Sequence, residues 1–196
     1  MEEVKIGDQI WMGRNLDVAT FRNGDPIPDA ETDEEWDEAG ENGKPAWCYY
    51  NYEPSNNYKY GKLYNWHAIN DPRGLAPEGW SIPSDEQWTI LTDNLGGEEV
   101  AGIKMKSSND WAEEGVGNDE SGFSALPGGF RDDLGRFKYS EIGEGGYWWS
   151  STESDSGEYD SVGALSRHLS YDNNKVFRVR SASKGNGYSV RCIKEV

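Results

Sequence analysis

The stretch LSRHLSYDNNKVFRVRSASKGNGYSVRC, residues 165–192, decides the fold class, because its pattern is that of consecutive antiparallel strands. The region holds three short runs of alternating polarity, ALSRHLSY, NKVFRVRS and GYSVRCIKEV. Turn signals separate them at Asp172-Asn173 and at Lys184-Gly185-Asn186-Gly187. The sequence therefore predicts a run of antiparallel strands at the end of the chain.

The composition of this stretch differs from that of the rest of the chain. No Trp follows Trp149, and no Glu occurs between Glu158 and Glu195. Residues 1–158 carry 12 Lys and Arg against 33 Asp and Glu, whereas residues 159–196 carry 7 against 3. The sequence therefore predicts a basic patch on an acidic protein, which favours an acidic partner surface.

Two helices are predicted before these strands. In PSDEQWTILTDNLGG, residues 83–97, Ser84 and Gln87 form a capping box and Gly96 provides the C-terminal stop. The buried stripe of this helix is predicted to be Trp88, Leu91 and Leu95. The other helix is predicted in YGKLYNWHAIND, residues 60–71, with Leu63, Trp66 and Ile69 on one stripe.

The remaining segments are predicted to be short strands and long connections. VKIGDQIWMGRNL, residues 4–16, indicates two short strands around the turn Gly7-Asp8. Residues 22–46 form an acidic segment rich in Gly and Pro, which predicts a long surface loop. Beyond Gly97 the segments are punctuated by glycine. Helices and strands are segregated along the chain, so the predicted fold class is α+β.

Length and composition limit the classes of protein to consider. The 196 residues suit a single domain, 1–196, and an aromatic content of 13% predicts a core built from large rings. A net charge of −17 argues against nucleic-acid binding, and no apolar stretch approaches the roughly 20 residues of a membrane span. The first residues lack the pattern of a signal peptide, so we expect a soluble chain.

Few residues suggest catalysis or metal binding. Cys48 and Cys192 have no CxxC partner and are expected to be buried thiols, with a disulfide or a reactive thiol as alternatives. His67 is expected to be a structural imidazole, and no nucleophilic triad is evident. Oxygen ligands for a structural calcium ion are offered by a glycine-flanked loop, at Asn118, Asp119 and Glu120. These residues lack EF-hand spacing, so we predict no cofactor and no metal site.

Six ordered motifs give the chain a family resemblance. They are IGDQIWMGRNLD, YGKLYNWHAIND, LAPEGWSIPSDEQW, GFSALPGGFR, YWWSST and GYSVRC. In these motifs the chain resembles the Fibrobacter succinogenes major paralogous domain over residues 4–194. That family is similar to the C-type lectin fold, in the branch of the formylglycine-generating enzymes. The resemblance implies paired N- and C-terminal strands, two helices packed on small antiparallel sheets, and long irregular loops carrying a ligand face.

A second resemblance concerns residues 159–186. Some proteins with this fold are variable proteins of diversity-generating retroelements, whose C-terminal segment is diversified by adenine-specific mutagenesis of Asn codons. Such mutagenesis cannot produce Glu, Gln, Lys, Met or Trp, and between Tyr159 and Asn186 only Lys175 and Lys184 lie outside the reachable set. Strand propensity is the alternative explanation for the missing Glu and Trp.

The resemblance divides the terminal strands into two faces. Framework positions are expected at Arg167, Leu169, Tyr171, Val176 and Arg178, and variable positions lie between them. One of the adjacent rings of Trp148 and Trp149 is expected in the core, and the other on the ligand surface. The predicted ligand-binding residues are Tyr159, Ser166, His168, Ser170, Asp172, Phe177, Val179, Arg180, Ser181, Asn186 and Trp149.

The function expected from these patterns is non-enzymatic recognition of a protein or cell-surface ligand. The first alternative is a polysaccharide-binding surface domain that uses Tyr147 and Trp149 as stacking platforms. The second is an oxidase similar to the formylglycine-generating enzymes, which use a pair of nearby cysteines, whereas Cys48 and Cys192 lie 144 positions apart. A recognition role favours an extracellular, cell-surface or virion-surface location.

Overall fold

The computed structural model describes residues 2–113, 115, 117–137, 142–154 and 163–195, and it shows an α+β protein with small antiparallel sheets. The strands are β1 (Glu3–Ile6), β2 (Gln9–Met12), β3 (Trp47–Cys48), β4 (Leu63–Tyr64), β5 (Trp80–Ser81), β6 (Gly145–Glu153), β7 (Ala164–Ser170), β8 (Val176–Ala182) and β9 (Ile193–Lys194). The α-helices are α1 (Asp33–Glu41), α2 (Asn57–Tyr60), α3 (Trp66–Ile69), α4 (Asp85–Asn94) and α5 (Glu98–Met105).

The first sheet joins the two ends of the chain. Its strand order is β1-β2-β9-β5, and Trp11 of β2 lies opposite Ile193 of β9. The hairpin of β1 and β2 turns at Gly7, whose φ of 59° suits glycine. The predicted opening strands are therefore confirmed, and so is the pairing of the terminal strands.

The helix predicted from the capping box is confirmed as α4. The Ser84 side chain accepts a hydrogen bond from the Gln87 amide at 3.2 Å, and the Ser84 amide donates to the Gln87 side chain at 2.8 Å. Trp88 and Leu91 are fully buried and Leu95 is nearly so, as the stripe predicted. This helix packs against β6 and β7.

The helix predicted over residues 60–71 is wrong in extent. Tyr60, the first residue of the predicted helix, is the last residue of α2. Leu63–Tyr64 then forms β4, which pairs with β3. Only Trp66–Ile69 is helical, with Asn65 as its N-cap. Leu63, Trp66 and Ile69 are nevertheless buried. The spacing of three marked buried positions, but Gly61 at φ 76° interrupts the helical backbone.

Two longer helices, and most of the single turn α2, were missed by the sequence prediction. The acidic loop predicted over residues 22–46 contains α1, which begins after the N-cap Thr32, whose side chain accepts from the Glu35 amide at 3.1 Å. Trp36 fixes this helix because its ring is fully buried and its Nε1 donates to the Gly185 carbonyl at 2.7 Å. Helix α5 follows Gly97 in the part predicted to be irregular.

The third predicted strand of the C-terminal run leaves the second sheet, whose order is β6-β7-β8. Residues around Ser189 run beside β6, where the Trp149 amide donates to the Ser189 carbonyl at 3.1 Å and the Ser189 amide to the Tyr147 carbonyl at 3.0 Å. The chain then forms β9 in the first sheet. Because Tyr188, Val190 and Cys192 are buried, this segment is a core connection between the two sheets rather than a third hairpin strand.

Large rings are the bulkiest side chains of the core, but most of its buried hydrophobic residues are aliphatic or small, so the predicted core of rings is confirmed only in part. Trp11, Trp36, Trp88, Trp148 and Trp149 are all fully buried. No helix among the described residues is long and apolar enough to span a membrane.

Candidate functional site

The register of β6, β7 and β8 defines an inner face of the second sheet. Residues directly opposite one another on antiparallel strands point to the same face. Trp148, Arg167 and Arg178 form one such row, and Leu169 lies opposite Val176 in the next. Trp148, Leu169 and Val176 are buried in one cluster with side chains of α4 and α5, so this face holds the sheet on the helices.

A carboxylate at the start of α4 fixes the two arginines of the inner face. Asp85 Oδ1 accepts from Arg167 at 2.7 Å and from Arg178 Nε at 3.0 Å, and Oδ2 accepts from Arg178 Nη2. These hydrogen bonds and charges hold the pKa of Asp85 below its usual value, although burial opposes them. Arg167 also donates to the Thr89 hydroxyl at 3.1 Å. The predicted framework roles of Arg167 and Arg178 are structural roles in this network.

The outer face of the same strands carries a row of stacked rings. The rings of Tyr147 and His168 have centroids 4.2 Å apart and planes 5° apart. The rings of His168 and Phe177 follow at 5.3 Å and 24°. We call Tyr147, His168 and Phe177 the aromatic ladder. All three side chains are half-buried, so the ladder lies at the surface.

Neighbouring side chains bound the ladder at both ends. Phe130 lies 4.7 Å from Tyr147, with its ring tilted by 51°. At the other end, Lys175 Nζ lies 5.7 Å from the centroid of Phe177. The sequence prediction missed both residues. Lys175 had a signal, because it lies two positions before Phe177 in an extended run, whereas the contact of Phe130 depends on the path of a distant loop.

The ladder keeps its histidine uncharged at neutral pH. Burial lowers the pKa of His168 to about 4, and the nearby Asp172 opposes this effect. A neutral imidazole stacks between two rings without the desolvation cost of a charged group. His168 is therefore a recognition or packing group at neutral pH and carries no positive charge for a ligand.

Two predicted ligand-binding residues lie in the core instead. Trp149 is 0% exposed and Ser166 is 1% exposed, which corrects their predicted place on the ligand surface. The Trp149 ring lies 4.4 Å from that of Tyr188, and its Nε1 donates to the Tyr64 carbonyl at 2.7 Å. The connection that carries Tyr188 covers this half of the outer face, and Trp148 is buried on the inner face, so neither ring is available at the surface.

The other predicted residues extend from the ladder along β8 and the preceding turn. Ser170 donates to Asp172 at 2.6 Å, and Asp172 is exposed. Val179 is half-buried, whereas Arg180 and Ser181 are exposed. Asn186 lies beyond the sheet and donates to the Tyr188 hydroxyl at 2.9 Å. Tyr159 lies outside the described residues.

The basic patch predicted from charge is largely neutralised. Arg167 and Arg178 are paired with Asp85, Lys175 with Glu99, Lys184 with Glu153, and Lys194 with Glu3. Arg191 is fully buried and donates to the Met12 and Phe123 carbonyls. Among the seven Lys and Arg of residues 159–196, only Arg180 has no ion pair or hydrogen bond to a described residue. Arg180 is therefore the main free cation of this surface.

A buried lysine supports the turn between β7 and β8. Lys106 is 1% exposed and its Nζ donates to the Asn173 carbonyl at 2.6 Å and to the Gly115 carbonyl at 3.2 Å. Burial lowers the pKa of this amine. No sequence pattern pointed to this role, because the lysine and the turn are far apart in the chain.

The residues considered for catalysis or metal binding lie in surroundings typical of structural residues. Cys48 and Cys192 are free thiols in separate clusters, and burial raises the pKa of each to about 12. His67 is half-buried, and its imidazole is hydrogen-bonded to the Gly40 backbone. In the calcium candidate, both Asp119 oxygens accept from Ser124, at 2.8 and 2.5 Å. The described residues contain no group of three or more His, Cys, Asp or Glu suited to a metal ion.

The comparison with known proteins is consistent with the motifs. No match was found among curated proteins or among solved structures. The model of the Fibrobacter succinogenes major domain family matches residues 4–194, which is nearly the whole chain. The chain therefore belongs to this family.

Proposed function

We propose that the chain is a non-enzymatic recognition module that binds a protein or cell-surface ligand through the outer face of β6-β7-β8. The observation that carries the proposal is the aromatic ladder, in which three half-buried rings stack across three strands, with Tyr147 packed against the main core and Phe177 at the sheet edge. Aromatic and Arg side chains supply most binding energy at protein interfaces. Phe177, His168 and Arg180 are therefore the proposed contacts.

The rigidity of the sheet supports this proposal. The inner face is fixed by Asp85 and by packing against α4 and α5, so the ladder is held in place before a ligand binds. A pre-ordered surface loses less side-chain entropy on binding. The turn beside the ladder is held in the same way by Lys106.

We also propose the finer assignment of the fold, a C-type-lectin-like domain of the formylglycine-generating-enzyme branch, with residues 159–186 as a diversified segment. The division of β7 and β8 into a structural inner face and a partly exposed outer face supports it. The genome tests the diversification. We expect a neighbouring reverse transcriptase and a near-copy of these codons that differs only at template adenines. A neighbourhood with neither would contradict this part of the proposal.

The two alternatives have less support. A polysaccharide platform needs an exposed ring face, but Trp149 is fully buried and Tyr147 is stacked on His168 and packed against Phe130. An oxidase that uses paired cysteines needs two adjacent reactive thiols, but Cys48 and Cys192 lie in separate clusters and are protonated at neutral pH.

A selection experiment tests the proposed surface. A displayed library of random peptides is selected on the protein, and the binders are measured against a variant with His168→Ser, Phe177→Ser and Arg180→Ser. We expect at least a tenfold loss of affinity with the circular dichroism spectrum unchanged. The matched control is Tyr58→Ser, which removes a ring that is 94% exposed elsewhere, and it should change nothing. Binders that tolerate the triple variant would contradict the proposal.

A further inference from the structure

The outermost strand of the second sheet has an edge that no other described strand pairs with. In the order β6-β7-β8, strand β8 pairs with β7 alone among the described strands. No backbone hydrogen bond joins Val176–Ala182 to another part of the described chain beyond that pairing. Every second N–H and C=O of an edge strand points away from the sheet, so β8 presents a template for one more strand.

The side chains of β8 define what such a strand should contain on the outer face. The aromatic ladder runs across β6, β7 and β8 and ends at Phe177, the last ring before the edge. A further strand would lie about 4.8 Å away and place a side chain directly opposite Phe177. An apolar or aromatic side chain at that position would continue the stack, and a second apolar residue would lie opposite Val179.

The charges along the edge indicate which charged residues a partner strand should carry. Arg178 lies on the inner face and shares Asp85 with Arg167, so one carboxylate serves two guanidinium groups. Arg180 is exposed and has no described partner. Acidic residues on a partner strand would therefore complement the edge, since opposite charges on neighbouring strands are stabilising.

The same charges argue against a second copy of the chain as the partner. Two copies of β8 paired antiparallel about Arg178 would place like charges opposite each other, which is destabilising. Two whole molecules, each of net charge −17, also repel at long range far more strongly than one molecule repels a short acidic segment. A register shift between Ala164 and Ser166 places Arg180 and Ser181 at a bulge, so regular pairing would extend over about Val176–Val179, with Arg180 just past its end and still beside the end of a docked segment.

We propose that β8 binds an extended acidic segment of a partner protein as a fourth strand, with an apolar residue of that segment stacked on Phe177. This inference rests on the proposed recognition function and names how the ligand docks. Main-chain hydrogen bonds would provide the pairing, while Phe177 and Arg180 would select apolar and acidic side chains.

A series of synthetic peptides tests the pairing. The parent peptide is acetylated and amidated and has the sequence Glu-Val-Glu-Phe-Glu-Val-Glu. One derivative is N-methylated at the Val and Phe positions, another at the two inner Glu positions, and a third has Lys in place of every Glu. Because alternate residues of a paired strand donate toward the same edge, only one of the two methylated peptides should lose binding.

We expect the parent to bind the wild-type protein in fluorescence anisotropy, and amide exchange to slow at alternate residues of β8. One methylated derivative and the Lys peptide should each bind at least tenfold more weakly. The variant Arg180→Glu should reverse the preference, so that the Lys peptide binds more tightly than the parent. Arg180 is exposed, so this variant should keep the thermal midpoint of the wild type.

Three results would overturn the inference: no binding of the parent at about 1 mM, equal binding of both methylated peptides and the parent, or equal binding of the acidic and Lys peptides. If library-selected peptides still require the ladder in any of these cases, strand pairing is wrong and the recognition function stands. If those peptides also bind the triple variant unchanged, both proposals are wrong.

Discussion

At the scale of single residues, Asp85 connects the start of α4 to both arginines of the inner face. Replacing Asp85 with Asn leaves Arg167, which is 1% exposed, without its carboxylate. Removing one member of a buried ion pair costs about 3–5 kcal/mol. We expect the free energy of unfolding in urea to fall by about that amount, with Glu86→Gln in the same helical turn as an exposed control. An unchanged stability would show that the arginines do not depend on this carboxylate.

The neutral histidine of the ladder predicts a dependence of stability on pH. In the unfolded chain His168 takes up a proton near pH 6.5, whereas in the folded protein it does so only near pH 4. Between these values the unfolded state binds more protons, so the free energy of unfolding should fall as the pH is lowered from 6.5 to 4.

The variant His168→Phe keeps a ring in the stack and should reduce this dependence on pH. Burial also lowers the pKa of His67, so His67→Gln measures the remaining histidine contribution. Denaturation curves across this pH range check the expectation. A wild-type slope that His168→Phe leaves unaltered would contradict the account of the ladder.

At the scale of elements, α1 depends on one ring. Trp36 is fully buried, donates to Gly185, and lies 4.5 Å beneath the Arg131 guanidinium. We expect Trp36→Ala to lower the free energy of unfolding by about 3–5 kcal/mol. Asp37→Ala, on the next residue, should change it by less than about 0.5 kcal/mol. If both variants unfold at the urea concentration of the wild type, α1 does not belong to the cooperative fold.

The elements also show what sequence patterns can predict. Helix α4 carries its own boundaries in Ser84, Gln87 and Gly96, so its sequence predicted it correctly. Helix α1 was missed because its acidic composition hid a single buried Trp36, whose partners are more than 90 residues away.

In the candidate site too, some positions could be predicted from the sequence and others could not. Alternation along β7 and β8 predicted the framework positions Arg167, Leu169 and Val176, because period two is a local property. It misplaced Ser166 and Trp149, because the connection through Tyr188 covers half of the outer face and nothing local to β6 or β7 encodes that cover.

At the scale of the whole molecule, the fold holds both thiols away from solvent and from each other. Cys48 and Cys192 are buried and free, and burial raises the pKa of each to about 12. We expect a thiol reagent such as Ellman's to find no reactive cysteine in the folded protein and both cysteines in guanidinium chloride. Dithiothreitol should leave the thermal midpoint unchanged. A midpoint that falls on reduction would indicate a disulfide.

The central claim is that the inner face of β6-β7-β8 holds the fold while the ladder and the exposed part of β8 are free for recognition. A saturation scan of residues 164–182, read out by protease resistance, measures this directly. We expect polar substitutions at Leu169, Val176 and Arg167 to cost at least about 2 kcal/mol. At Ser170, Phe177, Arg180 and Ser181 they should cost less than about 1 kcal/mol. If Phe177 and Arg180 are as intolerant as Leu169 and Val176, the division between the two faces is wrong.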